Sequence, residues 1–265
     1  MRSAVLHAAA FAALVAAAPA PAATLELDFT AYGGGLRIAE GTLRLNADGT
    51  TSGPYQIRLD AGWASWITLF TSFRYEAEAA GTLGNPSVKP ARFKSERRLR
   101  RKHDVMRMDY AGAVPAVRTE PPRDPHDATL VPEEAKRGTA DPLSVGAAVI
   151  AAAGSRAACT GRYPVYDGRR RYDLLMTPLG REILEPSSRR TAAGPADVCL
   201  VTLRPVAGFQ NDHNPERFFV NGVDRTAKVW FARVGPQGRA VPVQMEVETN
   251  VGTFYVHTTG VRVTP

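Results

Sequence analysis

Ala240-Val241-Pro242-Val243-Gln244-Met245-Glu246-Val247-Glu248 is the stretch on which the fold class turns. Val243, Met245 and Val247 share one parity, and Gln244, Glu246 and Glu248 share the other. A period of two marks a strand that buries one face and wets the other. Lys228 to Val234 precedes it and Thr253 to Val263 follows it, across Gly235-Pro236-Gln237-Gly238 and Asn250-Val251-Gly252. Short connections of this composition join antiparallel neighbours, so the C-terminal part reads as a three-stranded meander. In the last strand Phe254 and Val256 differ in parity from Val261 and Val263, which predicts a β-bulge near Gly260.

Working outward, the N-terminal part keeps the same rhythm. Leu25, Leu27 and Phe29 alternate with Glu26, Asp28 and Thr30. Leu36 and Ile38 lie on one parity and Leu43 and Leu45 on the other, so a bulge or bend is expected near Gly41. Asn46-Ala47-Asp48-Gly49 is a turn signal before Tyr55, Ile57 and Leu59. Trp63, Trp66, Ile67 and Phe70 break the alternation. Their i, i+3, i+4, i+7 spacing predicts an amphipathic helix of about two to three turns. Alternation resumes from Phe73 to Ala79. Ala91 to Arg101 then carries Arg92, Lys94, Glu96, Arg98 and Arg100 on one face, and Val105 to Tyr110 pairs back against it.

Residues 112–140 hold Pro115, Pro121, Pro122, Pro125 and Pro132 with little periodicity, and read as one long Pro-rich loop. Asp141-Pro142 opens a second short helix, with Asp as N-cap and Pro at N1, ending near Gly154. Strands are expected over Cys159 to Tyr166, Arg169 to Met176 and Val198 to Val206, the first two joined by an Asp167-Gly168 turn. The fold class is therefore mostly β: a large curved antiparallel sheet, half-barrel or barrel-like, with two short helices.

The N-terminus bears on the compartment. Met1-Arg2 is a positive start, Ala4 to Ala18 is apolar apart from His7, and Ala20-Pro21-Ala22 offers small residues for cleavage. That is the pattern of a secretory signal peptide over residues 1–22, and it is short of the roughly 18–20 apolar residues that span a bilayer. The expectation is export to the periplasm and one β-rich domain over residues 23–265. The formal charge is +7. A basic protein in that compartment meets anionic headgroups or acidic glycans; export argues against nucleic acid as a partner. In an oxidising compartment Cys159 and Cys199 are expected to pair, closing a loop worth about 4 kcal/mol; two buried free thiols are the alternative. No metal site and no cofactor is expected, since two Cys without a neighbouring His pair lack ligands.

Asp141-Pro142-Leu143-Ser144, Cys159, Val165-Tyr166-Asp167-Gly168-Arg169-Arg170-Arg171-Tyr172-Asp173-Leu174, Cys199, Gly208-Phe209, Val229-Trp230 and Val241-Pro242-Val243 together resemble DUF3108, a family of exported bacterial proteins of unknown function. The resemblance implies a β-rich periplasmic domain and no assigned reaction. It also implies an architecture similar to the curved sheets of LolA-like lipoprotein carriers, an analogy of fold and not of function.

Three clusters carry candidate chemistry. Trp63, Trp66, Ile67 and Phe70 would line an apolar cleft for an acyl chain, or would simply be core. Arg169, Arg170 and Arg171 would grip a phosphate or carboxylate as a fork, or would pair internally with Asp173. Arg97-Arg98-Leu99-Arg100-Arg101-Lys102-His103 would meet an anionic membrane at about 1 kcal/mol per exposed cation, or would guard a sheet edge. Enzyme chemistry finds little support: the histidines after residue 22 (His103, His126, His213 and His257) are widely spaced, and HExxH, GxSxG and P-loop patterns are missing. The functional expectation is a non-enzymatic envelope protein that binds a lipid, glycolipid or other amphipathic or anionic ligand. A structural module docking on another envelope protein and a hydrolase of envelope polymers are the alternatives.

Overall fold

Period-two alternation is realised as strands over most of the described residues. The computed structural model describes residues 23–47, 52–84, 87–123, 130–155, 158–209, 223–235, 238–249 and 252–264. The signal-like segment 1–22, the Asp48-Gly49 turn, His126 and Asp212-His213 lie outside the described residues. The strands are β1 (Ala23–Gly33), β2 (Leu36–Ala47), β3 (Gly53–Trp63), β4 (Phe73–Leu83), β5 (Val88–Leu99), β6 (Lys102–Asp109) and β7 (Ala116–Glu120) in the first half. After them come β8 (Gly161–Tyr166), β9 (Arg171–Leu184), β10 (Gly194–Ala207), β11 (Arg225–Val234), β12 (Arg239–Thr249) and β13 (Gly252–Thr264). Helices α1 (Glu133–Lys136) and α2 (Pro142–Ala152) lie between the halves.

Among the described residues these strands make one thirteen-stranded sheet in the order β7-β6-β5-β4-β3-β2-β1-β13-β12-β11-β10-β9-β8. Every pair of neighbours is antiparallel, and the first and last strands of the chain pair at the centre. β7 and β8 are not paired with each other, so the sheet stays open. Its curvature follows from one contact set: α2 touches β3, β4, β5, β8 and β12. In a flat sheet β5 and β8 would stand about 48 Å apart, at about 4.8 Å per strand. A helix about 10 Å across reaches both only if the sheet bends around it. Leu25, Leu45, Ile57, Val198, Val241 and Val243 line the face turned toward the helix and are all fully buried.

The Asp167-Gly168 hairpin closes part of the gap. Gly168 has φ +84°, and a Cβ there would stand 1.7 Å from the Met106 sulfur on β6. Only glycine lets this turn lie against the far wing of the sheet. The outer edge of β8 is covered by its own chain. Ala140 N donates to the Pro164 carbonyl at 2.9 Å and Tyr166 N donates to the Ala140 carbonyl at 2.9 Å, a parallel bridge that blunts the edge. The Cys159–Cys199 disulfide links the residue just before β8 to the middle of β10, across β9.

Several local readings are corrected. The helix expected over Trp63 to Phe70 is the end of β3 followed by one 3-10 turn, Ile67–Leu69. The spacing that resembled a helical stripe arises where a strand side chain meets a tight turn. The long loop over 112–140 contains β7 and α1. Ala116-Val117-Arg118-Thr119-Glu120 alternates, but it is short and hemmed by Pro115 and Pro121. The bend expected at Gly41 lies at Ile38, the unpaired residue between Arg37 and Ala39. Gly41 has a different cause: a Cβ would stand 2.2 Å from the Asp60 carbonyl and 2.5 Å from the Phe29 ring. The bulge expected near Gly260, by contrast, is present, at the adjacent Thr259. β9 runs eight residues past Met176, because Pro178 and Gly180 flank a bulge at Leu179 and do not end the strand.

The paired substitutions Cys159→Ser and Cys199→Ser are expected to lower the unfolding free energy by about 2–5 kcal/mol, read from urea denaturation. An unchanged midpoint would show that the bridge adds nothing to the fold.

Candidate functional site

The side of β1 to β7 turned away from α2 is polar by the same alternation that builds the core. Register then decides which polar side chains become neighbours. Cα partners run Arg262↔Glu26, Glu26↔Arg44, Arg44↔Arg58, Arg58↔Glu78, Glu78↔Lys94, Lys94↔Arg107 and Arg107↔Arg118. One transverse row across eight strands thus holds six cations and two carboxylates. Three directly opposed pairs, Arg44/Arg58, Lys94/Arg107 and Arg107/Arg118, are like-charged, which a sheet ordinarily avoids.

Twist rolls this face into a trough of about 730 Å³ lined by the row from Arg44 to Arg118 and by Arg92 and Asp109 beside it. Some of the cations are held. Arg44 and Arg262 both bind Glu26, and these bonds, Arg262 first, hold its carboxyl below the usual range. Arg107 reaches Glu120 at 2.6 Å and Arg58 stands 3.9 Å from Glu76. Arg92, Lys94 and Arg118 make no ion pair among the described residues. On one flank lies an acidic row, with Asp60, Glu76 and Glu96 in successive cross-strand register. It is met from its far side by Arg74, 2.7 Å from both Asp60 and Glu76.

The other candidates sit elsewhere. Arg171 is buried and bonds Asp173 at 2.8 Å and the Ala135 carbonyl at 3.1 Å. Arg162 takes the second oxygen of Asp173 at 2.7 Å. Burial pushes the Asp173 carboxyl up, but the hydrogen bonds from Arg162 and Arg171 outweigh it and leave the group below its ordinary value. Arg170 stands 3.7 Å from Asp167 while Arg169 is exposed, so the three arginines do not converge. Trp63 packs on Phe73 with ring centroids 4.9 Å apart. Trp66 and Phe70 are exposed and Ile67 half-buried at the end of the sheet, while α2 occupies the concave side where a lining was expected.

The buried hydroxyls form a cap. Ser144 N donates to Asp141 Oδ1 at 2.8 Å, Ser144 Oγ donates to Oδ2 at 2.5 Å, and Tyr55 Oη donates to Ser144 Oγ at 2.5 Å. Both Asp141 and Ser144 are fully buried, so this Ser–Asp pair faces no solvent. His257 lies between Tyr32 and Tyr255, with ring centroids 5.6 and 5.9 Å away. Burial, then Arg190 and Arg189, keep its imidazole below the usual value. His103 Nε2 is 2.9 Å from Glu96 Oε1 on the surface. Among the described residues no group of three or more His, Cys, Asp or Glu side chains is placed to hold a metal ion. No helix there is long and apolar enough to cross a membrane.

Sequence reasoning found Arg92 and Lys94 on one face of β5 but did not join them to Arg44, Arg58, Arg107 and Arg118. Counting register outward from each hairpin would have aligned them.

A family model described as "Protein of unknown function (DUF3108)" matches residues 28–259. No curated protein matches the chain. A solved structure, "Crystal Structure of Beta-barrel-like Protein of Domain of Unknown Function DUF1849 from Brucella abortus", is similar at a TM-score of 0.46 and 8% identity. The match covers 92% of this chain and 98% of that one.

Burial raises the Asp141 carboxyl above its ordinary value against the hydrogen bonds from Ser144. A raised folded-state value means that the contribution to stability is full below the unfolded value of about 4 and is lost as pH climbs through the folded value. Asp141→Asn keeps a capping side chain and does not titrate. The stability of the wild type relative to this variant is expected to fall as pH rises above about 4, in urea titrations at each pH. A constant difference would remove Asp141 from the pH response.

Proposed function

The chain belongs to the DUF3108 family, and from the charge geometry of its polar face we propose that it is a binding protein for a multiply anionic ligand, seated in the trough between Arg44 and Arg118. The observation that carries the reading is the transverse row. Three opposed like-charged pairs weaken a sheet in isolation, and an anion laid across them turns repulsion into attraction. From β2 to β7 the row spans about 24 Å at about 4.8 Å per strand, a length suited to several phosphates or carboxylates in series. The volume falls within the range of ordinary ligand sites. Guanidinium groups match the planar geometry of carboxylates and phosphates. The ligand class is a phosphorylated or carboxylated glycan or glycolipid headgroup, bound without turnover. The signal-like pattern of residues 1–22 and the disulfide support a periplasmic location for this role.

Calorimetric titration with inorganic tripolyphosphate and with oligogalacturonate is expected to show salt-dependent binding. Lys94→Glu with Arg107→Glu should weaken it about tenfold or more. Arg118→Gln removes one opposed pair at the sheet edge. It should weaken binding while leaving stability unchanged or raised by about 0.2–0.5 kcal/mol. Affinity for both probes that survives the double reversal, or no affinity in the wild type, would overturn the reading.

A further inference from the structure

Three turns meet at one end of the β1–β6 wing, and the sequence features left over from the trough are gathered there. β1 and β2 join at Gly34-Gly35, β3 and β4 through residues 64–72, and β5 and β6 at Arg100-Arg101. The turns are bonded into one rim. Trp66 Nε1 donates to the Arg37 carbonyl at 2.6 Å, tying the middle turn to the first. Arg100 N donates to the Ser72 carbonyl at 3.0 Å, and Arg100 Nε donates to Thr71 Oγ1 at 3.4 Å, tying it to the third.

This rim exposes large apolar side chains that the fold does not need. Leu69 and Phe70 are each 81% exposed, Leu36 is 60% and Trp66 is 46%. Isolated exposed apolar residues are common, but four on one bonded rim mark an interaction surface. The cations say which kind. Arg97 pairs with Asp104 at 2.6 Å, and Arg98 and His103 share Glu96, so the carboxylates on this wing end are already engaged. Arg37 stands 3.8 Å from Glu40. Arg100, Arg101 and Lys102 make no ion pair among the described residues and are exposed beside the apolar tip. Apolar points beside a run of unneutralised cations complement a bilayer whose headgroups are anionic.

We propose that this rim docks on an anionic lipid surface, with Leu69, Phe70 and the Trp66 ring entering the headgroup layer and Arg100, Arg101 and Lys102 meeting lipid phosphates. The surface is separate from the trough: the acidic row of Asp60, Glu76 and Glu96 lies between them.

The test uses protein purified from the soluble fraction of expressing cells and vesicles of phosphatidylglycerol mixed with phosphatidylcholine. Cosedimentation is expected with these vesicles and not with phosphatidylcholine alone. Leu69→Ser with Phe70→Ser leaves charge untouched and should weaken binding about tenfold. Arg101→Glu with Lys102→Glu should weaken it by a similar factor of about ten. Lipids brominated on the acyl chain should quench tryptophan emission, and Trp66→Phe should abolish that quenching, since Trp230 is buried and Trp63 packs on Phe73. No binding to the anionic vesicles, binding undiminished in the Leu69/Phe70 variant, or binding without quenching would each overturn the proposal. So would a dimer that only the Leu69/Phe70 variant dissociates, because the rim would then belong to a second copy of the chain.

Discussion

The bend of the sheet around α2 is fixed at the first turn of that helix, where an ionisable side chain is buried to hold it. Asp141 caps the backbone of Ser144, Ser144 bonds back to Asp141, and Tyr55 reaches across from β3 to complete the chain of hydroxyls. A helix capped only from within would be free to slide along an apolar sheet face. Hydrogen bonds are directional, so the Tyr55 contact fixes the position of α2 along β3, where apolar packing alone would not. Ala140, the preceding residue, is bonded to β8 at the same time. The five residues 140–144 therefore connect β8, at one end of the sheet, to β3 in its other half.

Once the inner face is committed to α2, alternation leaves the other face no choice but to carry the charges. Their sign pattern is what differs from an ordinary solvated sheet. An ordinary solvated sheet puts opposite charges across from one another, as at Arg58 with Glu78. The row from Arg44 to Arg118 instead sets cation against cation three times. Glu26 and Glu120 engage parts of the row, yet Lys94, which faces Glu78 in register, and Arg118 make no ion pair among the described residues. Repulsion of this kind is tolerable because the core on the opposite face holds the strands in register.

Much of this fold could be read from residue order. The C-terminal meander, the Asp141-Pro142 helix start and the Asp167-Gly168 hairpin rest on local rules of period, capping and positive φ, and all three stand in the structure. What escaped were places where one residue type serves two ends. Trp63 closes a strand and Trp66 opens a turn, so their spacing imitated a helix. Pro178 and Gly180 read as breakers, yet Gly180 at φ +121° sits inside β9, next to its bulge. Pro115 and Pro121 hid a five-residue edge strand. The trough was less legible still, because Arg44 and Arg118 are far apart in the chain and become members of one row only through register across six strands.

The two surfaces fall on the same half of the sheet, and that division has a physical basis. The β8–β10 wing carries the disulfide, the covered edge at Ala140 and the buried Arg171–Asp173 pair, with exposed Arg162 closing on Asp173 from outside. These features engage their groups internally and constrain the chain. The β1–β7 wing has none of them; its strands are joined by backbone ladders and by exposed ion pairs. Exposed pairs contribute little to stability and are screened by salt. Charges on that wing can therefore be arranged for a ligand at small cost to the fold, provided the other wing and α2 hold the bend. The acidic row of Asp60, Glu76 and Glu96 follows from the same need. Without it two basic rows would lie side by side on one face, and their repulsion would work against the curvature that makes the trough.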